Sequence, residues 1–368
     1  MSALTVEEVD VLAQSARAPT EPLPRSLPDL LFRGALLEHT IPGLSWRGFV
    51  RLTQEVLLQT NGDAEVWARV AFARDVGRRH LGERALLEWP VVSSWFAALD
   101  NNAQSRALAH AVQSAADADL EAVEGYAASA EAWLDRVPVT AEALSLRGAV
   151  GRGYAALGEY GKAGVALERA VAGWFELGRV GDASHPLCEL LRVRGIQRDA
   201  GAVTVLRNRV GAFLEATPDP TSRAFVELAL GRALVQSGAG DDGQTALRDT
   251  ATDWGQAPPH VQASRLRWLH YVAVTSADDA AASEHLAKLD DLRDEGQPYD
   301  SDQRYVARVD RGLAQGSVLT PDVEALVGLL PGGDEAARTL VRLSGGRPLA
   351  DAMRDRAVVR RMAWEYRY

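Results

Sequence analysis

Histidine is a common ligand of catalytic metals, and the sequence contains seven histidines. On a helix, two metal-binding histidines usually stand four residues apart with a glutamate after the first, in the pattern HExxH. That frame occurs at His260, but Val261 replaces the glutamate and Ser264 replaces the second histidine. The histidines therefore predict no metal site, and we expect surface or core positions for them. They are His39, His80, His110, His185, His260, His270 and His285.

Three pairs of adjacent aspartates have the side chains for calcium binding or general acid–base catalysis. The pairs stand at 241–242, 278–279 and 290–291. The first two lie in turns that precede helical segments, where an aspartate accepts hydrogen bonds from unpaired backbone N–H groups. We therefore expect these aspartates to cap helices or to lie on solvated faces.

Other catalytic patterns are absent from the sequence. It contains no G-x-x-x-x-G-K-[ST] phosphate loop and no G-x-S-x-G nucleophile elbow. Cys188 is the single cysteine, which excludes an internal disulfide and a thiolate-rich metal site. The sequence predicts no catalytic residue, no metal and no cofactor.

The charge and hydropathy of the chain narrow the classes of partner. The formal net charge is −10, which argues against a nucleic-acid binder that relies on overall charge. Only Lys162 and Lys288 are lysines, so nearly all basic groups are guanidinium groups, which suit forked contacts with carboxylates. The sequence has no transmembrane-length apolar run, and its start lacks the pattern of a signal peptide. We therefore expect a soluble, cytoplasmic protein.

Apolar residues recur at spacings of three and four, which predicts an all-α protein. Residues 1–28 are expected to form a short helix and a proline-rich connector, and residues 29–100 a helical N-terminal region. From about residue 101 to 296, pairs of helical segments alternate with breaks about 40 residues apart, which is typical of a helical array. Residues 297–368 are expected to form a helical C-terminal cap with a basic, aromatic tail.

One segment of this array carries a specific motif. Residues 144–171, LSLRGAVGRGYAALGEYGKAGVALERAV, resemble a tetratricopeptide (TPR) repeat. Small residues at such positions allow two helices to cross closely, and a glycine in the turn accepts the positive φ that ends a helix. The marker positions of the family fall at Gly151, Tyr154, Gly158, Tyr160, Ala163, Leu167 and Ala170.

The neighbouring segments match the family less closely. Arg147 stands where the family has an aromatic residue, and the repeats are longer than the 34 residues of the family. The resemblance implies a TPR-like α-solenoid of helical hairpins, because stacked hairpins can bury the apolar faces that one hairpin leaves exposed. The alternative is a non-repetitive helical bundle.

In that family the first helix of each repeat lines a concave groove. Carried over to this sequence, the groove positions include Arg152, Arg192 and Arg232, which are 40 residues apart. The resemblance thus implies a row of guanidinium groups that grips acidic side chains or a peptide C-terminus. The alternative is that these arginines only solvate helix faces.

Outside the repeats, two segments are candidates for partner contact. Trp46 stands near a turn, and the tail carries Arg360, Arg361 and Trp364. The tail is expected either to cap the array or to dock on a partner or an anionic membrane surface.

The favoured hypothesis is a non-catalytic scaffold or adaptor that binds a protein or peptide, although fold analogy is a weak warrant for function. One alternative is an accessory or inactivated relative of HExxH-type peptide-modifying enzymes, which residues 83–99 faintly resemble. A second is an enzyme subunit whose site no motif reveals, and a third is a peptide-sensing regulator.

Overall fold

The computed structural model describes residues 3–17, 23–38, 41–60, 63–81, 83, 94–118, 120–248 and 254–294. These residues form fifteen α-helices and two short 3₁₀ turns, with no strand among them. None of these helices combines the length and the apolar character needed to cross a membrane. The chain divides into two compact units, 1–154 and 155–368, which are described separately. The predicted C-terminal cap at 297–368 lies outside the described residues.

The first unit consists of eight helices, the last of which extends two residues beyond it. Helix α3 packs against α4, α2 packs against α4, and α6 packs against α7. The helices are α1 (Val6–Arg17), α2 (Leu27–Leu36), α3 (Trp46–Gln59), α4 (Ala64–His80), α5 (Ser94–Ala97), α6 (Asn101–Ala118), α7 (Leu120–Leu134) and α8 (Ala141–Ala156).

Local sequence determines where several of these helices begin. The Ser45 side chain accepts a hydrogen bond from the Gly48 N–H at 3.2 Å, which starts α3. The sequence predicts that the proline-rich connector runs to residue 28, whereas α2 already begins at Leu27. Pro28 lies in its first turn, where a backbone N–H has no helical partner to lose.

Aromatic rings fill the core of the first unit. Phe32 packs edge-on against Phe72 at 5.6 Å between ring centroids and against Trp95 at 5.0 Å. All three side chains are buried. Their contacts join α2, α4 and α5. T-shaped aromatic pairs stabilise packing by more than the burial of their apolar surface alone.

A polar junction lies in the same unit, where α2, α4 and α6 approach one another. His110 is 3% exposed, its Nε2 lies 3.2 Å from the Glu38 Oε1, and its Nδ1 lies 3.2 Å from the Arg79 Nη1. A guanidinium can only donate, so Nδ1 accepts from Arg79 and Nε2 carries the proton given to Glu38. Burial lowers the pKa of His110, and the hydrogen bond from His110 lowers the pKa of Glu38 to about 2.

The second unit contains seven further helices, which form a series of hairpins. Helices α10 and α11, α12 and α13, and α14 and α15 are each joined by a short turn. The helices are α9 (Tyr160–Glu176), α10 (Ser184–Ile196), α11 (Ala200–Ala216), α12 (Pro220–Gln236), α13 (Gly240–Arg248), α14 (Pro259–Thr275) and α15 (Asp279–Asp294).

The three hairpins share one turn geometry. The turn residues Arg198, Gly238 and Ala277 have φ values of 55°, 93° and 58°. In each turn the following backbone N–H bonds to a carbonyl five residues earlier, at 3.0 Å, 2.9 Å and 2.8 Å respectively. This is the Schellman ending of a helix, and it recurs at intervals of 40 and 39 residues. Gly158 likewise has a φ of 76°, as expected from its place in the repeat motif.

Small residues allow close contacts between helices at several positions. A Cβ on Gly195 of α10 would lie 2.9 Å from the Ala233 Cα of α12, so these two helices touch along their backbones. Ala163 and Ala170, both assigned to repeat packing, are fully buried. Gly151 is also buried.

In the first unit, α8 makes its tight contact at Gly153, two residues after Gly151. A Cβ on Gly153 would lie 2.8 Å from the Val112 Cγ1 of α6. Tyr154 is buried, and its hydroxyl donates to the Glu131 Oε2 of α7 at 2.6 Å. These contacts fix the end of α8 against both preceding helices.

Candidate functional site

Three helices of the second unit, α10, α12 and α14, place their arginines in one neighbourhood. Helix α10 packs along α12, and α12 packs along α14. Arg192 and Arg232 occupy equivalent positions on adjacent helices because their separation equals the hairpin repeat. Arg267 on α14 acts electrostatically on Arg232, as Arg192 does from the other side. We call Arg192, Arg232 and Arg267 the arginine row.

The first member of the row is compensated by a carboxylate. The Arg192 Nε and Nη2 donate to the Glu189 Oε2, at 2.9 and 2.7 Å, and both side chains are about one fifth exposed. Burial acts to lower the pKa of Arg192, but the charge of Glu189 and its hydrogen bonds outweigh burial and raise it. Arg192 is thus held as one half of an internal ion pair.

Arg232 differs from Arg192 in its partners. Its guanidinium carbon lies 5.4 Å from the centroid of the Trp268 ring, and it forms no hydrogen bond or ion pair with the described residues. Burial, followed by the positive charges of Arg267 and Arg192, lowers the pKa of Arg232 to about 9. The group therefore stays charged at neutral pH in an environment that disfavours its charge.

The third member shares an aromatic partner with the second. Arg267 is 3% exposed, and its guanidinium carbon lies 4.7 Å from the centroid of the same Trp268 ring. Trp268 itself belongs to a buried cluster with Leu228, Leu247 and Leu269. The indole ring is fixed by its packing, and both guanidinium groups lie within cation–π distance of it.

Two further polar groups lie near the row. The Tyr160 hydroxyl of α9 is buried and has no hydrogen-bond partner among the described residues. Burial raises the pKa of Tyr160, and the charge of Arg192 opposes this shift. Burial also raises the pKa of Cys188 to about 12, so this thiol stays protonated and is a poor nucleophile at neutral pH.

The remaining predicted contact residues belong to the first unit or lie outside the described residues. Arg152 lies in α8, in the first unit, and is half-buried. Trp46 is half-buried in the first unit, where its ring stacks on His80 with centroids 4.1 Å apart and contacts Phe49 edge-on. Arg360, Arg361 and Trp364 lie outside the described residues, as does most of the segment 83–99.

The aspartate and histidine positions fit structural roles where the structure describes them. The Asp278 Oδ1 accepts from the Ala281 N–H at 3.0 Å, which confirms the expected capping role. His270 is fully buried, with its Nδ1 2.9 Å from the Ala282 carbonyl oxygen. The described side chains contain no group of three or more His, Cys, Asp and Glu suited to hold a metal ion.

Sequence reasoning missed Arg267 and Trp268. Arg267 is not on the 40-residue interval of the other arginines, because Glu227 is the residue 40 positions before it. The segment Arg265-Leu-Arg-Trp268, in which arginine directly precedes tryptophan, was the available signal. No protein-family model matches the chain, and no curated protein matches it.

Proposed function

We propose that this chain is a cytoplasmic scaffold or adaptor of TPR-like hairpins that binds an acidic protein or peptide and catalyses no reaction. The partner lies against the face formed by the first helices α10, α12 and α14. The observation that carries this proposal is Arg232, a charged guanidinium without a carboxylate partner between two other arginines.

The repeated hairpin supports this assignment. Three successive hairpins end their first helix with the same turn, so equivalent positions of α10, α12 and α14 lie at matching levels. A partner that runs across the three helices meets one such position after another. Guanidinium groups bind carboxylates through two parallel N–H···O bonds, which gives them orientation as well as strength.

The test compares two double variants of the full chain. Arg192→Gln with Arg232→Gln removes two charges from the arginine row. The control, Arg169→Gln with Arg207→Gln, removes two charges from exposed positions on the second helices α9 and α11. Each protein is immobilised at equal density after circular dichroism shows equal helicity, and proteins captured from the native host extract are quantified.

We expect the row variant to lose at least about tenfold in recovery of one or more acidic partners, and the control to retain them. Equal recovery of every captured protein by both variants contradicts the proposal. Turnover of a substrate by the isolated chain also contradicts it.

A further inference from the structure

Helix α11 is distinguished by the face that it turns away from the core of the second unit. Its inner face buries Val203, Leu206, Val210 and Phe213. Its outer face is exposed over about four turns and carries no charge before the last turn. We call this outer face the α11 face, and it consists of Gly201, Thr204, Val205, Asn208, Gly211, Ala212 and Glu215.

The outer faces of other second helices are charged, as is usual for a helix at a protein surface. Helix α9 exposes Lys162 and Arg169, and α15 exposes Glu284 and Lys288. On the α11 face, the central side chain of Val205 is apolar and 65% exposed. A helix that is apolar on its inner face and uncharged on its outer face is typical of one that is covered on both sides.

Gly211 is a second sign of a contact from outside the chain. A glycine inside a helix makes that helix less stable than an alanine would. In α12, packing explains Gly231, because a Cβ there would lie 2.5 Å from the Leu247 side chain. A Cβ on Gly211 would meet no described atom within 4 Å, so packing within the described chain does not require this glycine. The close approach of another helix does.

The α11 face is complementary to itself about Asn208. If a second α11 lies antiparallel with its Asn208 opposite the first, each residue meets the one equally far on the other side of 208. Val205 then lies level with Gly211 of the second copy, and Thr204 lies level with Ala212, so the larger side chain of each pair meets a smaller one. The two Asn208 amides can each donate to and accept from the other.

The charge at the end of the face also finds a complementary place. Glu215 lies level with Gly201 of the second copy, in the first turn of α11, where the partial positive charge of a helix N-terminus stabilises a carboxylate. The Asp199 carboxylate that caps this turn is already balanced by Arg194, with Oδ2 and Nη1 4.0 Å apart. Antiparallel pairing therefore places a carboxylate at each helix N-terminus.

We propose that the protein forms a two-fold dimer in which α11 packs antiparallel against α11 of a second copy about Asn208. This inference goes beyond the proposed function and is independent of it, because the first helices α10 and α12 pack on the other side of α11. The basic C-terminal tail of the chain is a poorer occupant, since the α11 face offers Arg360 and Arg361 a single carboxylate. One helix face is a small interface, so we expect a dissociation constant of about 10–100 μM.

The first experiment measures the mass of the full chain by sedimentation equilibrium. As the concentration rises from about 1 to 300 μM, across the expected dissociation constant, the average mass should increase from 39.7 kDa towards twice that value. Asn208→Arg brings two like charges together at the two-fold axis, so we expect this variant to stay monomeric. The control, Thr245→Arg, adds the same charge at an exposed position of α13 and is expected to dimerise like wild type.

A mixture of two variants tests the symmetry of the contact. Asn208→Glu alone should be monomeric for the same reason as Asn208→Arg. When the two variants are mixed in equal amounts, opposite charges meet at the two-fold axis, and we expect a heterodimer at least about tenfold tighter than either homodimer. This rescue requires that position 208 of one copy meets position 208 of the other. Circular dichroism checks that every variant keeps the helicity of wild type.

Three outcomes overturn the inference. A wild-type chain that stays monomeric at every concentration does so, whatever else covers the α11 face. A dimer that Asn208→Arg leaves unchanged places the contact elsewhere, and a mixture of the two variants that stays monomeric rejects the antiparallel pairing about Asn208. A dimer that captures no acidic partner supports this inference and contradicts the proposed function, whereas a monomer that captures one does the reverse.

Discussion

At the scale of single residues, the chemistry of Arg232 is set by what surrounds it. Burial and two neighbouring guanidinium groups bring its pKa to about 9, which is low for arginine. A bound carboxylate stabilises the charged form, so binding and protonation are thermodynamically linked. Arg232 therefore offers a pH signature that an exposed arginine lacks.

We predict that the affinity of the arginine row for acetate, a carboxylate probe, stays nearly constant between pH 7 and 8 and decreases as the pH rises through about 9, where Arg232 loses its proton. NMR titrations of the arginine side-chain N–H resonances at four pH values measure this dependence. The resonances of exposed arginines outside the arginine row, such as Arg169, are the internal control. Undiminished affinity at pH 10 would show that the surroundings of Arg232 do not lower its pKa to about 9.

His110 gives the second residue-scale prediction. Burial lowers the pKa of His110 in the folded state. Below about pH 6.5 the unfolded chain therefore binds a proton at this residue more readily than the folded chain does. The free energy of unfolding should therefore decrease as the pH falls from 6.5 to 5, by about 1 kcal/mol from this residue. The hydrogen bond from His110 holds the pKa of Glu38 at about 2. It therefore stabilises the fold at pH values above the ordinary pKa of glutamate, and this stabilisation is lost as the pH falls towards 2.

The matched variants for this prediction are His110→Gln and His185→Gln. A glutamine amide can donate to Glu38 and accept from Arg79 without titrating. We expect urea unfolding of His110→Gln to show a flatter pH dependence than wild type, and His185→Gln, on the surface, to follow wild type. Identical pH slopes for all three proteins exclude His110 as the source.

The arginines also show how far sequence reasoning reached at this scale. Arg192 and Arg232 were found because equal spacing in a repeat places residues at equivalent positions. The pairing of Arg192 with Glu189 and the sharing of Trp268 depend on how α10, α12 and α14 pack, which spacing does not specify. The stacking of Trp46 on His80 likewise could not be predicted, because nothing in the local sequence indicates that contact. The role of Trp46 in partner contact stays a prediction.

At the scale of elements, the hairpin turn is the unit that repeats. Gly158 and Gly238 could be predicted in it, because glycine accepts positive φ without steric strain. Arg198 and Ala277 adopt the same conformation, but their side chains give no local signal for it. Their turns are fixed instead by the two helices that the turn must connect and by the shared Schellman hydrogen bond.

Gly238→Ala should lower the free energy of unfolding by about 1 kcal/mol. A Cβ at Gly238 would meet no atom within 4 Å, so the loss comes from the positive φ of 93° alone. Gly240 provides the control, because its added Cβ would also meet no atom but the residue begins α13 with ordinary φ. Urea unfolding should show Gly240→Ala at or above wild-type stability, and equal losses for both variants would contradict this account of the turn.

At the scale of the whole molecule, net charge and local charge have opposite signs. The chain carries a formal charge of −10, whereas the arginine row is positive. An acidic partner is therefore repelled at long range and attracted at contact. Under the proposed function, the row therefore acts in contacts made after encounter and does not attract the partner over a distance.

We predict that the association rate of an acidic partner rises when the ionic strength is raised from about 0.01 to 0.15 M, because the Debye length falls from about 30 to 8 Å and screens the long-range repulsion. The partly buried contacts of Arg232 are screened much less, so dissociation should change little. Surface plasmon resonance separates the two rates, and uncharged sugar at equal osmolality is the control. A nucleic-acid ligand would show the opposite trend. Its affinity would fall steeply with rising salt, because the release of condensed counterions on binding becomes less favourable. An association rate that decreases with salt would therefore show that the positive arginine row, and not the net charge of the chain, determines the rate of encounter.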